Sequence, residues 1–218
     1  MNDFVNKKYM IIREAVPKVL TDFIYQYFCN RRKVARLMFD ARYISQFNTD
    51  WGVWNDSQIP ETYSHYGDLV METLLEQIKP LIEEQAGHKL NANYAYARIY
   101  KKGDELKRHK DRWSCEISTT MNLGGDKWPI FLEPSGEEGK KGLEILLEQG
   151  DMLIYKGCEL EHWREPFEGE NSAQVFLHFN DARKEDANEF DGRPFLGLPT
   201  WFKDFTLPTE QETEQKET

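Results

Sequence analysis

The sequence predicts a mainly β protein, an antiparallel sandwich or jelly roll braced by helices at its N-terminal end. Two patterns lead to this fold class. Long segments of the first half carry apolar residues at helical spacing. From residue 91 onward the chain changes to short apolar runs separated by glycine and proline turns, and such runs are typical of all-β sandwiches and jelly rolls. A chain of 218 residues is long enough to enclose a sizeable core.

Two amphipathic helices are expected before the strands, over 17–39 and over 68–85. Gly87 supplies the stop signal of the second helix. Pro80 should bend that helix or break it in two, because proline removes one ladder hydrogen bond. The stretch between the helices, 42–66, is polar and aromatic and is expected to be mostly loop. Such a loop can form one wall of a pocket, but ordinary packing over the core is the favoured interpretation.

Short strands are expected throughout the second half, and turn residues such as Gly-Gly and Pro-Ser-Gly bound them. Their expected positions are 92–101, 115–123, 129–133, 143–148, 151–156, 161–166 and 173–180. A further apolar run, KYMIIR at 8–13, is typical of an edge strand. The predicted sheet therefore has one strand before the helices and the rest after them.

We expect a single domain over 1–205. It consists of a helical part of about 1–90, a jelly-roll core of about 91–180 and a C-terminal wrap, 181–205. The apolar residues of DGRPFLGLPTWF in the wrap should pack back onto the body. Residues 206–218 are acidic and lack a core-forming pattern, so they are predicted to be a disordered tail.

Charge and composition disfavour several classes of function. The formal net charge of −10 argues against general affinity for a phosphate backbone, so nucleic acid is disfavoured as a partner. No stretch approaches the roughly 18 apolar residues that span a bilayer, and the N-terminus does not resemble a secretory signal. The cysteines Cys29, Cys115 and Cys158 are odd in number and widely spaced. They predict neither a disulfide framework nor a zinc cluster, and a reducing cytoplasm is the expected compartment.

A His-x-Asp pair, His109 and Asp111, follows an aromatic-rich strand pattern. Residues two apart on an extended segment point to the same side, so an imidazole and a carboxylate arrive together. A later histidine would complete a two-histidine, one-carboxylate facial triad, the ligand set of non-haem Fe(II) oxygenases. Two of the five histidines precede the strand-rich half, which leaves His162 and His178 as candidates.

The segment around this pair resembles a known family. It is similar to the Tyr-x-x-Gly-x-x-(Tyr)-x-x-His-x-Asp run of prolyl 4-hydroxylase-like Fe(II)/2-oxoglutarate oxygenases, at Tyr100, Gly103, Leu106, His109 and Asp111. Leu106 departs from the aromatic residue often found there. The resemblance covers about 92–180, where DRWSCEIS, WPI and HWREPF look like segments of viral and bacterial members. It implies a double-stranded β-helix, a cupin-like jelly roll, with Fe(II) and 2-oxoglutarate as cofactors.

The resemblance favours His162 as the third metal ligand, because His162 follows the strand-turn-strand order that precedes the family's distal histidine. His178, within VFLHF, is then expected to be a core or pocket residue. Family members hold the far carboxylate of 2-oxoglutarate with a Lys or Arg shortly after the distal histidine. None of the corresponding positions is basic here: Asn171, Ser172 and Ala173.

Arg164 is the predicted substitute for this anchor, because it shares a strand face with His162 and its planar fork suits a carboxylate. Arg98 is the second choice. Tyr100 occupies the place of a family tyrosine that hydrogen-bonds the co-substrate, and Asn122 lies on a strand expected to line the same pocket.

The function implied by the resemblance is that of a 2-oxoglutarate-dependent dioxygenase. Such an enzyme hydroxylates a C–H bond with O2 and releases succinate and CO2. The resemblance is also compatible with ascorbate as a cofactor. The substrate is not identified and can be a peptide or a small molecule, with peptidyl proline suggested by analogy only. Two alternatives remain: a cupin-like metal-binding protein or isomerase without oxygen chemistry, and a catalytically inactive binding module.

Overall fold

The computed structural model describes residues 3–203 and 205. Its α-helices all lie in the first half of the chain: α1 (Asp3–Lys7), α2 (Lys18–Asp40) and α3 (Leu69–Ala86). Short 3-10 helices follow later, at Trp113–Cys115, Phe190–Gly192 and Thr200–Phe202. Within the described residues, none of the helices combines the length and the apolar character that crossing a bilayer requires.

In the part of the chain that the structure describes, ten strands form two antiparallel sheets. They are β1 (Tyr9–Ile12), β2 (Tyr63–Tyr66), β3 (Leu90–Lys101), β4 (Leu106–His109), β5 (Ile117–Gly125), β6 (Ile130–Leu132), β7 (Leu143–Ile145), β8 (Met152–Lys156), β9 (His162–Arg164) and β10 (Asn171–Asp181). The large sheet has the order β1-β8-β5-β10-β3-β2, and the small sheet has the order β4-β9-β6-β7. The predicted mainly β class with its long helices in the N-terminal part is confirmed.

The two long helices form where the apolar spacing predicts them. In α3 the Asp68 side chain accepts hydrogen bonds from the first backbone N–H groups, and Gly87 ends the helix in the left-handed conformation at φ 76°. The helix continues through Pro80, so the predicted break is not observed. Its apolar face is buried against β3 at Leu74, Leu75, Ile78 and Ile82, and this burial offsets the single hydrogen bond that proline removes.

Short strands were the weakest part of the sequence prediction. β2 lies within the stretch expected to be loop, and β4 was not predicted as a separate strand. The YSHY sequence of β2 has no apolar alternation. It becomes a strand because it pairs in register with the exposed edge of β3, from Tyr63 against Ile99 to Tyr66 against Tyr96. This pairing is long-range and leaves no local signal.

The side chains of β3 alternate between two regions, the core on the helix side of the sheet and the cavity on its other side. Ala95, Ala97 and Ile99 face the helices and belong to the larger core cluster. Tyr94, Tyr96, Arg98 and Tyr100 face the interior of the sandwich and line a cavity there. This division follows from the geometry of a strand, which places successive side chains on opposite faces. The inner face of β3 thus forms one wall of the site described below.

The C-terminal wrap packs back onto the body in part. Leu196 joins the helix-side core, whereas Phe195 and Trp201 stay exposed. A fully buried ion pair, Arg193 Nη2 to Glu72 Oε1 at 2.7 Å, ties the wrap to α3. The acidic tail predicted over 206–218 lies outside the described residues.

A second set of contacts between the C-terminal wrap and the body, around Asp191, makes the stability of the protein depend on pH. Asp191 is buried and accepts hydrogen bonds from Tyr66 Oη (2.8 Å) and Arg112 Nη2 (2.9 Å), with Lys203 Nζ at 2.6 Å. Burial alone would raise its pKa, but the two cations lower the pKa from 3.8 to about 2. The lowered carboxyl pKa stabilises the folded protein at pH values above the pKa of the unfolded state. This stabilisation is lost as the pH falls toward about 2. Half of the Arg112 side chain is exposed, so screening reduces the contribution to roughly 1 kcal/mol.

Asp191→Asn is therefore expected to lower the free energy of unfolding by about 1 kcal/mol at pH 7, with a difference from wild type that shrinks as the pH falls from about 4 to about 2. Urea denaturation at several pH values measures this. Asp186→Asn, a substitution of an exposed carboxylate in the same wrap, is the control. A difference between Asp191→Asn and wild type that stays constant down to pH 2 would contradict the role of the two cations.

Candidate metal centre

The three predicted metal ligands converge in the structure. β4 and β9 are antiparallel neighbours, and His109 is paired directly with His162. The two imidazoles stand side by side, with ring centroids 4.3 Å apart. Asp111 follows β4, and its Oδ1 lies 3.6 Å from His109 Nε2 and 3.4 Å from His162 Nε2. One donor atom from each residue falls within 4.8 Å of the other two.

The orientation of both rings suits metal binding. His109 Nδ1 is 2.7 Å from the Lys107 carbonyl oxygen, and His162 Nδ1 is 3.1 Å from the Leu160 carbonyl oxygen. A carbonyl oxygen only accepts, so each Nδ1 must carry its proton. In the neutral tautomer the Nε2 atoms are then free of protons and face Asp111. Backbone carbonyls that fix ligand histidines in this way are usual in metal sites.

Electrostatics keep the carboxylate ionised. Burial favours the neutral form of Asp111, but the neighbouring imidazoles of His162 and His109 hold the Asp111 pKa well below its usual range. Burial likewise opposes the charged form of His109, but Asp111 and the Lys107 carbonyl raise the His109 pKa. An anionic oxygen between two imidazoles is a donor set that fits a divalent transition metal such as Fe(II).

The alternative ligand, His178, lies on the other side of Asp111. It stands on β10 and belongs to a second group of donors, with Asp111 and Cys115, that also fall within 4.8 Å of one another. Burial lowers the His178 pKa to about 4, so its imidazole is neutral. Among the described residues, His162 and not His178 shares a group of possible ligands with His109.

A cavity of about 330 Å³ opens beside the three ligands. This volume falls in the range of small-molecule sites. Its inner part is walled by Tyr100, Leu106 and Tyr155, and its outer part by Asp56, Gln58 and Arg98 among others. The outer residues Asp56 and Gln58 come from the 42–66 stretch. The aromatic residues of that stretch pack on the core as expected, at Trp51, Trp54 and Tyr63, so the loop both covers the core and supplies two polar residues to the cavity. Its polar residues gave no signal of this position beyond the length of the loop.

Arg164 is buried beside the inner part of the cavity without a charged partner among the described residues. It is 1% exposed, and its guanidinium donates to the Trp128 carbonyl, to Gln174 Oε1 (3.3 Å) and to Thr120 Oγ1 (3.4 Å). Its Nε has no hydrogen-bond partner. Burial lowers the Arg164 pKa to about 10, which leaves the group charged at neutral pH. A buried charge of this kind costs several kcal/mol unless an anion compensates it.

Arg164 does not itself line the cavity, but it lies close to residues that do. The hydroxyl groups of Tyr100 and Tyr155 favour its charged form. Its guanidinium also lies 5.1 Å from the ring centroid of Trp128, which in turn contacts Tyr100 edge to face at 4.7 Å. Trp128 and Tyr155 were not predicted as site residues, because aromatic residues in strands usually signal only core packing.

Arg98, the second choice as anchor, is already compensated. Its Nη2 lies 3.0 Å from Asp56 Oδ2, and its Nη1 donates to Gln58 Oε1 at 3.1 Å and to Tyr100 Oη at 3.4 Å. Burial opposes its charge, but Tyr100, Tyr96 and Asp56 raise its pKa above the ordinary value. Of the two arginines, Arg164 is therefore the one that lacks an anion.

Asn122 was expected to line the same pocket, and the structure does not bring it there. Its amide nitrogen donates to the Leu147 carbonyl at 3.2 Å, and its side-chain oxygen accepts from the Gly124 backbone N–H at 2.9 Å. These bonds turn the side chain toward the main chain of neighbouring segments. Tyr100, in contrast, does line the cavity.

No protein-family model and no curated protein matches this sequence, but solved structures match the fold. EctD from S. alaskensis, in its apoform, aligns with a TM-score of 0.62 and 16% identity, covering 92% of this chain and 80% of that one. HygX from Streptomyces hygroscopicus, with nickel and 2-oxoglutarate bound, gives 0.58 and 12%, covering 82% and 85%. A Pseudomonas putida prolyl-4-hydroxylase gives 0.56 and 14%, covering 82% and 95%.

At these identities the similarity concerns the fold, and function rests on the side chains of the site. The chain therefore has a jelly-roll fold similar to that of these structures, which include a prolyl-4-hydroxylase and a protein with nickel and 2-oxoglutarate bound.

Proposed function

We propose that the protein is an Fe(II)- and 2-oxoglutarate-dependent dioxygenase that hydroxylates a C–H bond and releases succinate and CO2. One observation carries this proposal. A two-histidine, one-carboxylate donor set faces a cavity, and a buried arginine without a described carboxylate partner lies beside its inner end. The donor set suits Fe(II). The arginine suits the far carboxylate of a small dianion such as 2-oxoglutarate.

The residues of the cavity have distinct roles in this proposal. His109, Asp111 and His162 would hold the ion, which when bound supplies the oxygen chemistry that protein side chains lack. Arg164 would bind the far carboxylate of 2-oxoglutarate through two parallel hydrogen bonds. Tyr100 offers a hydroxyl group at the same end and, with the apolar inner walls, limits the access of water.

The outer part of the cavity supports a polar substrate. Asp56, Gln58 and Arg98 present a carboxylate, an amide and a guanidinium there, joined to one another by hydrogen bonds and an ion pair. Such groups fix the orientation of a ligand that carries complementary polar groups. A peptide or a polar small molecule agrees with this wall, and peptidyl proline is preferred only by analogy with prolyl 4-hydroxylases.

The alternatives make different predictions for 2-oxoglutarate. A cupin-like isomerase or metal-binding protein would hold an ion in the same donor set but leave 2-oxoglutarate unchanged. An inactive module would not bind 2-oxoglutarate. The uncompensated charge of Arg164 favours a site that takes an anion, because the free energy of burying that charge is recovered only when an anion binds.

The test uses the purified full-length protein with Fe(II), 2-oxoglutarate, ascorbate and O2, and measures succinate. We expect slow succinate formation that requires Fe(II) even without the substrate, and a faster rate when a metabolite or peptide library contains it. Tight binding of a metal without any turnover or binding of 2-oxoglutarate would contradict the proposal and favour the isomerase or the metal-binding protein.

We propose a cytoplasmic location because the cysteines are not paired in disulfides. Cys29, Cys115 and Cys158 are all free thiols in the structure. Free thiols persist in reducing compartments, where disulfides are rare, and an Fe(II) site also requires reducing conditions. Fluorescence microscopy of the tagged full-length chain in its own host would test this location.

A further inference from the structure

The two oxygen atoms of Asp111 have different surroundings. Oδ1 faces the two imidazoles of the metal centre. Oδ2 accepts a hydrogen bond of 2.7 Å from the hydroxyl of Ser118 on β5. One oxygen of the carboxylate can therefore bind an ion, while the other is held by a hydrogen bond from the protein.

Ser118 is itself part of a short chain of hydrogen bonds. Its Oγ lies 3.1 Å from His178 Nδ1 and 3.0 Å from the Cys115 carbonyl oxygen. A serine hydroxyl has one proton, and an ionised carboxylate only accepts. The Cys115 carbonyl also only accepts, and Asp111 Oδ2 is the nearer and charged acceptor, so the Ser118 proton is donated to Asp111. Ser118 then accepts from His178, which requires a proton on His178 Nδ1. The order of donation is His178 to Ser118 to Asp111.

The surroundings leave little room for another arrangement. The Asp111 backbone N–H donates to the Gly157 carbonyl at 2.9 Å. A Cβ at Gly157 would lie 2.4 Å from Asp111 Oδ2 and 2.6 Å from Ser118 Oγ, so only glycine permits this close approach. The His178 ring contacts the ring of Tyr94, with centroids 4.6 Å apart. Packing on two sides thus fixes the carboxylate and the histidine that acts on it.

We infer that Ser118 and His178 are positioning residues that hold Asp111 Oδ2, so that Asp111 offers a single oxygen to the ion. This inference rests on the proposed metal centre. It also accounts for the second group of possible ligands, Asp111, Cys115 and His178, without a second metal site: Asp111 and His178 are bonded to Ser118, and the Cys115 thiol lies 3.0 Å from Tyr94 Oη. Partners that orient a ligand in this way typically change metal affinity by about 10- to 100-fold.

The test measures Mn(II) affinity by calorimetry on the metal-free, full-length protein, so it does not depend on turnover. Ser118→Ala and His178→Phe should each weaken Mn(II) binding by about 10-fold or more. Phenylalanine keeps the ring contact with Tyr94 and removes only the nitrogen atoms. Because His178 acts through Ser118, the double variant should bind Mn(II) no more weakly than Ser118→Ala.

Thr119→Val is the matched control. Thr119 is the next residue on β5, is equally buried, and its hydroxyl accepts from the Leu177 backbone N–H on the opposite face of the strand. This variant should keep wild-type Mn(II) affinity. If Ser118→Ala does not fold, as judged by its melting temperature, the result for His178→Phe decides alone.

Three outcomes would overturn the inference. Unchanged Mn(II) affinity in His178→Phe would show that the histidine does not act on the carboxylate. Additive losses in the double variant would show that His178 acts directly and not through Ser118. A thiolate-to-metal absorption band with Co(II) that disappears in Cys115→Ser would show a metal bound at the second group. Wild-type protein that binds no divalent metal would instead contradict the proposed function itself.

Discussion

Asp111→Ala is expected to remove metal binding and to reduce Fe(II)-dependent succinate formation to background. Asp111 is the anionic member of the donor set, and its Oδ1 lies within 3.6 Å of both histidine Nε2 atoms. Without it, two neutral imidazoles remain, and a divalent ion loses both a ligand and the charge that compensates it. The measurements are Mn(II) calorimetry on the metal-free protein and succinate detection with Fe(II).

Two further variants make this experiment specific. Asp111→Asn keeps the shape of the side chain and removes its charge, so it should bind metal far more weakly than wild type but fold equally well. Asp104→Asn is the control, because Asp104 is a buried carboxylate that accepts from Thr62 and does not line the cavity. It should keep metal binding. Fe(II)-dependent succinate formation that survives in Asp111→Ala would show that the metal ligands are misassigned.

Arg164→Met is expected to weaken 2-oxoglutarate binding with little effect on metal affinity. Removing one partner of a buried, hydrogen-bonded charge pair typically costs about 2–5 kcal/mol, which corresponds to a loss of roughly 30-fold or more in affinity. Arg164 is buried and lacks a charged partner in the described structure, so its charge is available for the co-substrate. Calorimetry of 2-oxoglutarate with the Mn(II)-loaded protein measures the loss.

Arg98→Met is the matched control, since Arg98 is an equally buried arginine that lines the cavity and already has Asp56 as its partner. It should keep most of the affinity for 2-oxoglutarate. Arg164→Lys keeps the charge but not the planar fork and should fall between wild type and Arg164→Met. If Arg98→Met loses 2-oxoglutarate and Arg164→Met keeps it, the anchor is Arg98. If both keep it, neither arginine holds the co-substrate.

The stability of Arg164→Met offers an independent check. In the absence of 2-oxoglutarate, the substitution removes an uncompensated buried charge, which is a favourable change, and three hydrogen bonds, which is an unfavourable one. The gain in melting temperature that 2-oxoglutarate produces should be present in wild type and lost in the variant, because only binding to the folded state stabilises it. Differential scanning calorimetry with and without 2-oxoglutarate measures both quantities.

Patterns in the sequence predicted the fold class and brought together the residues of the candidate metal centre. The change from helical spacing to short strand runs predicted helices first and a jelly roll after them. Residues two apart on a strand share a face, and this rule placed His109 with Asp111 and Arg164 with His162. Both pairs are side by side in the structure because β4 and β9 are adjacent strands.

Only the tertiary structure decided which of these side chains have partners. Arg98 and Arg164 look alike in the sequence, yet a loop from far along the chain brings Asp56 to Arg98, whereas no carboxylate of residues 3–203 pairs with Arg164. The sequence likewise did not predict three other features: the strand β2, the orientation of Asn122 away from the cavity, and the hydrogen bonds of Ser118. The free energy of a buried charge or hydroxyl depends on groups within a few ångströms in space. Periodicity along the chain specifies which face of a strand a side chain is on, but not which groups from other segments contact that face.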